Sequence, residues 1–194
     1  LLEWATTPSI LGITMIKFRA GTTLAFFLTL ATAAPNAEEA RQNHAEQDQD
    51  NWLTYGHGFG NQRYSALKDI NTDNVKALTP AWIMQTGIVG TFPTNPLVVD
   101  GVMFITTPFN HVIALDAATG AEKWRYTHKP VTDKLCCGSH NRGLAWGDGR
   151  LFMITADARL IALDASNGKP VWDMPVVDPM SGNPDDLAAI RHYD

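Results

Sequence analysis

The sequence has few cysteines, no basic tract and no long apolar run, and each of these shortages excludes a class of protein. Only 2 of the 194 residues are cysteine, which excludes a small domain held together by a disulfide framework. The 15 Lys and Arg residues against 20 Asp and Glu give a net charge of -5, which argues against a nucleic-acid partner. The longest apolar run, Leu24–Leu30, is shorter than the roughly 20 residues that span a bilayer.

Neither the cysteines nor the histidines follow a spacing that is typical of a metal site. Cys136 and Cys137 are adjacent, and adjacent thiolates rarely suit one tetrahedral zinc ion. The sequence also lacks a C-x-x-C-H motif for covalent haem attachment. Four histidines show no ligand spacing, and we expect them in loops or at the surface: His57, His111, His128 and His140.

The amino-terminal residues follow the three-part pattern of a secretory signal peptide. Lys17 and Arg19 come soon after Met15, the apolar run follows them, and small residues end the segment at Ala33. We therefore predict a signal peptide over residues 15–33, cleaved after Ala33, and a protein that is exported to the periplasm.

A repeat of 48 residues predicts the fold. Val112–Trp124 reads VIALDAATGAEKW, Leu160–Trp172 reads LIALDASNGKPVW, and an Asp-Gly pair precedes both at the same offset. A fixed period in the forties that contains short β-rich segments is typical of β-propeller blades. We read each unit as four strands joined by tight turns. One tryptophan recurs in each unit, and we predict that these rings pack between blades: Trp82, Trp124 and Trp172.

The repeat and the signal pattern together predict how the chain is organised. About three blades are present, too few to close a ring that needs roughly four to eight. We therefore expect the sequence to be part of a longer protein. The predicted segments are an upstream leader at 1–14, the signal peptide at 15–33, a polar lead-in at 34–50, and the first blades of a propeller, incomplete at the carboxyl end, at 51–194.

Three motifs resemble those of the methanol and ethanol dehydrogenases that depend on pyrroloquinoline quinone (PQQ). The pattern A-x-D-x-x-x-G-x-x-x-W, which ends at Trp124 and at Trp172, is similar to the tryptophan-docking motif of quinoprotein propellers. Trp52–Gly56 resembles their amino terminus, and CCGSHNRG at Cys136–Gly143 resembles their vicinal-cysteine segment. The resemblance covers about residues 51–180 and implies an all-β fold, an eight-bladed propeller of the quinoprotein type when complete.

Read without the family, Cys136 and Cys137 leave two alternatives open. They are either two unrelated thiols in a loop or a disulfide between neighbours, which strains the peptide that joins them. In the family that the sequence resembles, such a pair forms an eight-membered ring that lies flat against one face of PQQ. The resemblance therefore implies a Cys136–Cys137 disulfide that binds the cofactor.

Arg142 also has two readings, since most arginines are simply surface charges. The resemblance assigns its planar donor fork to the quinone oxygens, where it would stabilise charge as they are reduced. We expect Asn141 to shape the loop, because Asn tolerates turn conformations. The residues predicted to bind the cofactor are Cys136, Cys137 and Arg142.

One position departs from the family pattern. Many relatives carry a Glu that contacts the cofactor three residues before the Pro of P-L-V-V-D-G. Here that proline is Pro96 and the matching position is Pro93, so the contact is lost or is replaced by Thr94 or Asn95. The catalytic Asp and the metal-binding Glu and Asn of the family lie in later blades. We therefore predict no catalytic residue and no metal ligand within these 194 residues.

The resemblance implies a periplasmic enzyme that oxidises primary alcohols to aldehydes. PQQ would accept the hydride, a calcium or lanthanide ion would act as Lewis acid, and electrons would pass to a cytochrome c or a membrane quinone. A homodimer is compatible with this interpretation. Two alternatives stay open: a non-catalytic propeller scaffold of the outer-membrane assembly type, and a PQQ-dependent sugar or polyol dehydrogenase. The scaffold should lack the cysteine pair and carry a lipidated cysteine after its signal.

Overall fold

A computed structural model describes residues 37–131 and 138–176 of the chain. The predicted leader at 1–14, the signal peptide at 15–33 and the cysteine pair at 136–137 lie outside the described residues, and they stay predictions. Among the residues that are described, no helix is long and apolar enough to cross a membrane.

The described residues form two four-stranded antiparallel sheets, in which each strand pairs with the next one along the chain. We name the sheet of the first four strands blade 1 and the sheet of the last four blade 2. A short helix precedes them, and short 3-10 helices occur at Ala45–Gln47, Val75–Ala77 and Pro108–Asn110. The elements are α1 (Ala37–Asn43), β1 (Leu97–Val99), β2 (Val102–Thr106), β3 (Val112–Asp116), β4 (Glu122–Tyr126), β5 (Ala145–Gly147), β6 (Arg150–Ile154), β7 (Arg159–Asp164) and β8 (Pro170–Pro175).

The two sheets share one strand register, which confirms the repeat predicted from the sequence. Phe104 pairs with Ala114 in blade 1, and Phe152 pairs with Ala162, 48 residues later, in blade 2. The stretch 78–82, which we read as the tail of a preceding blade, carries no strand in the described part of the chain. Within the described residues the structure thus shows two consecutive blades of a propeller, where the sequence predicted about three.

The third strand of each blade forms the centre of its core. In β3, the residues Val112–Leu115 are almost fully buried, and in β7 the same holds for Ile161–Leu163. Such short, continuous apolar runs are typical of strands that are covered on both faces. The largest buried side chains of the two blades come from these strands and their neighbours: Leu97, Ile113, Leu115, Leu151, Met153, Ile161 and Leu163.

Asp-Gly turns join the first two strands of each blade. Asp100 and Gly101 have φ values of 50° and 76°, and Asp148 and Gly149 have values of 51° and 67°. Two consecutive residues with positive φ define the type I′ turn that suits the twist of a two-residue hairpin, and Asp-Gly is among its preferred sequences. The turn chemistry therefore sets the register of each blade at its first hairpin.

Tryptophan side chains join one blade to the next. The indole Nε1 of Trp124 in β4 donates a hydrogen bond of 3.1 Å to the backbone oxygen of Ala165 in blade 2. Trp82 makes the equivalent bond, also 3.1 Å, to Ala117 in blade 1. The predicted packing between blades is confirmed for Trp124, and Trp82 binds blade 1 from a segment that forms no strand. Trp172 repeats, within blade 2, the contact with a phenylalanine ring that Trp124 makes in blade 1.

Candidate functional site

The loop that follows the cysteine pair, Gly138–Gly143, contacts both blades through a buried asparagine. The side-chain nitrogen of Asn141 donates to Asn110 Oδ1 (3.0 Å) in the β2–β3 turn and to the backbone oxygen of Ile154 (2.9 Å) in β6. Its Oδ1 accepts the backbone N–H of Gly143 at 3.0 Å. Because a buried amide needs such partners, Asn141 fixes the loop between the blades, as the sequence predicted.

The side chain of Arg142 is exposed, while its backbone is paired with a distant segment. The carbonyl oxygen of Arg142 accepts the N–H of Asn95 at 2.9 Å, and Asn95 and Gly143 form a parallel β-bridge. Gly143 has a φ of 145°, and a Cβ atom there would lie 3.1 Å from the backbone oxygen of Asn95. The close approach therefore requires glycine, and it brings the segment after Pro93 beside Arg142.

Thr94 belongs to the framework of this site. Its Oγ1 accepts the backbone N–H of Thr106 at 3.0 Å, and the Thr106 hydroxyl lies 2.9 Å from Thr94 Oγ1 and 3.2 Å from the Asn141 carbonyl oxygen. The Thr94 hydroxyl therefore holds Thr106 in place, and replacement of the carboxylate that is missing at Pro93 by Thr94 or Asn95 stays a prediction.

A buried, hydrogen-bonded pair of side chains holds the chain on the other side of the cysteine pair. His128 Nε2 lies 2.9 Å from Asp157 Oδ1, and Asp157 Oδ2 accepts the backbone N–H of Val131 at 2.9 Å. Burial by itself would raise the pKa of Asp157, but hydrogen bonds from Thr155, Val131 and His128 outweigh it and hold that pKa below its ordinary value. Asp157 is therefore ionised at neutral pH.

With this geometry in view, comparison with known proteins decides the family. Residues 52–176 match the PQQ family model described as "Glucose/ethanol/alcohol dehydrogenase, beta-propeller domain". The chain belongs to this PQQ dehydrogenase family. Within the described part of that domain, no group of three or more His, Cys, Asp or Glu side chains could hold a metal ion.

Curated and solved relatives agree with this family. The chain is 42% identical over 139 residues to the dehydrogenase subunit of a quinone alcohol dehydrogenase from Gluconacetobacter polyoxogenes, covering 70% of this chain and 19% of that protein. It is 40% identical to a lanthanide-dependent methanol dehydrogenase from Methylacidiphilum fumariolicum, covering 71% and 23%. A solved europium-containing methanol dehydrogenase matches with a TM-score of 0.65 at 37% identity, over 72% of this chain and 25% of that one. The chain thus spans about a fifth of these curated relatives.

The PQQ family membership gives context to the predicted site residues. Of the three residues predicted to bind the cofactor, the structure describes Arg142 and not Cys136 or Cys137. It does describe both flanks of the cysteine segment, which end at Val131 and begin again at Gly138. Their roles toward the cofactor stay predictions, and the structure contributes the framework on which those roles would depend.

His57 and His128 lie in loops, as predicted, but neither lies at the surface. His57 and His128 are each only 3% exposed. The ring of His57 stacks on Trp52 with centroids 4.5 Å apart, and the ring of His128 is buried because Asp157 compensates its polar atoms. None of the sequence motifs marks Asp157. The repeat contained a signal, because an offset of 48 aligns this acidic residue with Phe109.

Proposed function

We propose that the protein is a periplasmic PQQ-dependent enzyme that oxidises primary alcohols to aldehydes. Membership of the PQQ dehydrogenase family supports the cofactor, and the names of the relatives support the substrate class. On this proposal a calcium or lanthanide ion accompanies PQQ, with its ligands in later blades. The electrons then pass to a cytochrome c or a membrane quinone.

One observation in the structure carries the proposal. The segment that contains Pro93 and the segment that contains Arg142 are far apart in sequence, yet a backbone hydrogen bond from Asn95 to Arg142 joins them. Both positions correspond to cofactor contacts in the family that the sequence resembles. One cofactor can contact both segments only if they lie side by side, and this hydrogen bond holds them side by side.

The donors present at this place fit the chemistry of PQQ. Arg142 is an exposed residue, and its guanidinium carries planar N–H donors that suit carbonyl and carboxylate oxygens, which PQQ presents at its edge. Cys136 and Cys137 would support one face of the ring system. When bound, the cofactor supplies a two-electron acceptor for hydride. The contribution of Arg142 is to donate hydrogen bonds to the acceptor oxygens, and to stabilise the charge that develops on them.

The function is tested on the full-length protein, purified without cofactor. We expect oxidation of ethanol and methanol, followed with an artificial electron acceptor, only after both PQQ and either Ca²⁺ or a lanthanide ion are added. Parallel assays with glucose and glycerol address the sugar and polyol alternative, which predicts faster rates with those substrates. A protein that takes up no PQQ would contradict the enzymatic proposal and would favour the scaffold alternative.

Export to the periplasm is a separate part of the proposal. With Met15–Ala33 as a cleaved signal peptide, expression in a Gram-negative host should give a periplasmic protein whose first residue is Ala34, measured by intact mass. A Leu28→Glu variant should accumulate uncleaved in the cytoplasm, because a charge interrupts the apolar centre of the signal. The control Leu28→Val keeps that centre apolar and should be exported normally. Periplasmic material that retains Met15 would contradict cleavage.

A further inference from the structure

Two turns at equivalent positions of the repeat contact the described residues on either side of the cysteine segment. In blade 1 the turn is 107–111 and in blade 2 it is 155–159, an offset of 48 residues. In each, the first N–H donates to the last carbonyl oxygen at 2.9 Å. The fourth residue of each has positive φ, 60° in Asn110 and 62° in Ala158. The backbones differ at the third residue, because Phe109 also has a positive φ of 66° and its blade 2 equivalent, Asp157, does not.

The blade 1 turn holds the residues that follow the cysteine segment. The backbone N–H of Phe109 donates to the carbonyl oxygen of Ser139 at 2.6 Å. Asn110 Oδ1 accepts from the Asn141 side chain at 3.0 Å, and both of these asparagines are buried. The chain is thus fixed at Ser139 and Asn141, close to Gly138, which is the first described residue after the cysteine segment.

The blade 2 turn holds the residues that precede the cysteine segment. Asp157 binds the ring of His128 through one carboxylate oxygen and the backbone N–H of Val131 through the other, both at 2.9 Å. The side chains of His128 and Asp157 are 2% and 0% exposed. Val131 is the last described residue before the cysteine segment. A single carboxylate therefore fixes this flank at two points.

The repeat does not carry an acidic residue at this position in both blades. The equivalent residue of blade 1 is Phe109, although both turns are closed by the same backbone hydrogen bond. A buried carboxylate is costly unless it is paired and hydrogen-bonded, so its presence calls for a local reason. Besides Thr155 in its own turn, its partners are His128 and Val131, which both lie on the chain that leads into the cysteine segment.

We propose that Asp157, through His128 and Val131, is a positioning residue that places the Cys136–Cys137 segment for PQQ binding. This inference rests on the proposed function of the cysteine pair. The Asn110–Asn141 contact fixes the opposite flank, so the six residues between the flanks are held at both ends. Loss of the Asp157 contacts should weaken cofactor binding more than it weakens the blade.

The test compares Asp157→Ala with a matched control, Asp164→Ala, in the full-length apoprotein. Asp164 ends β7, the strand that follows Asp157. Its carboxylate accepts bonds from the Ser166 N–H (2.8 Å) and hydroxyl (2.6 Å), within the turn between β7 and β8. Titration with PQQ should show a Kd at least tenfold higher for Asp157→Ala and within twofold of the parent for Asp164→Ala. Asp157→Asn keeps one acceptor oxygen and should recover part of the affinity. Equal Kd values for the two alanine variants would overturn the proposal.

A second measurement does not depend on the cofactor. Amide hydrogen exchange of peptides that cover residues 128–143 should be at least tenfold faster in apo Asp157→Ala than in apo Asp164→Ala. Equal exchange in the two variants would overturn the positioning role even where PQQ binding differs. A parent protein that takes up no PQQ, but whose variants differ in exchange as expected, would overturn the proposed function and leave the structural contact intact. Should Asp157→Ala fail to fold, the same comparison is made with Asp157→Asn and Asp164→Asn.

Discussion

Replacement of Trp124 by alanine should lower the free energy of unfolding by about 3–5 kcal/mol, the usual range for emptying a large aromatic site. The indole packs against Phe104, with ring centroids 5.8 Å apart, and its Nε1 donates to the Ala165 carbonyl oxygen of the next blade. The substitution therefore removes apolar contacts and leaves a backbone acceptor without its donor. Chemical denaturation of the full-length protein measures the loss. A change below about 1 kcal/mol would mean that the ring does not join the blades.

The Trp124 contact can also be disturbed by substitution of Gly168, which lies against the indole ring, and Gly149 in the same blade serves as the control. Gly168 has a φ of 72°, and a Cβ atom there would overlap the Trp124 ring. Gly149 has a similar φ of 67°, but a Cβ atom there would meet no other atom. Both alanine variants carry the cost of a left-handed backbone, roughly 1–2 kcal/mol. Only Gly168→Ala also displaces the indole, and we expect it to be more destabilising by about 1–3 kcal/mol. Equal losses would contradict tryptophan docking.

Much of the fold could be predicted from sequence because the propeller repeats its local chemistry. The Asp-Gly turns, the apolar run of the third strand and the docking tryptophan recur at one offset, so the two copies support each other. The stretch 78–82 shows that a recurring motif does not by itself predict a strand. It contains a docking tryptophan, and the structure confirms that contact, yet the backbone there forms no strand. A strand needs a partner along its edge, and a motif alone does not supply one.

The candidate site could be predicted only where a motif marks it. Arg142 was found because the residues around it form a recognisable segment, and Asn141 because asparagine commonly shapes loops. The pair of His128 and Asp157 has no such local pattern, since the two residues are 29 positions apart and their contact exists only after the blades pack. The hydrogen bond between Asn95 and Arg142 escaped prediction for the same reason. Contacts between segments depend on tertiary packing, which spacing within one segment does not reveal.

Replacement of Arg142 by glutamine should lower kcat by about 10²–10³, the usual loss when one preorganised donor to a developing negative charge is removed. Glutamine keeps a donor amide but loses the positive charge and the planar fork. Arg142→Lys keeps the charge without the fork and should recover only part of the rate. The backbone hydrogen bond from Asn95 to residue 142 does not involve the side chain, so the loop should keep its position in both variants. The rates are measured at saturating PQQ, so that kcat is separated from cofactor affinity.

A matched control distinguishes this role from a general effect of removing an arginine. Arg150 lies in blade 2 and makes a surface ion pair, 3.9 Å long, with the exposed carboxylate of Asp148. Such pairs contribute about 0–1 kcal/mol, so Arg150→Gln should change neither kcat nor the melting temperature appreciably. If Arg142→Gln also leaves kcat within threefold of the parent, its guanidinium does not act on the cofactor. The PQQ site would then depend on donors other than Arg142. Pro93 is not one of them, because its side chain offers no hydrogen bond.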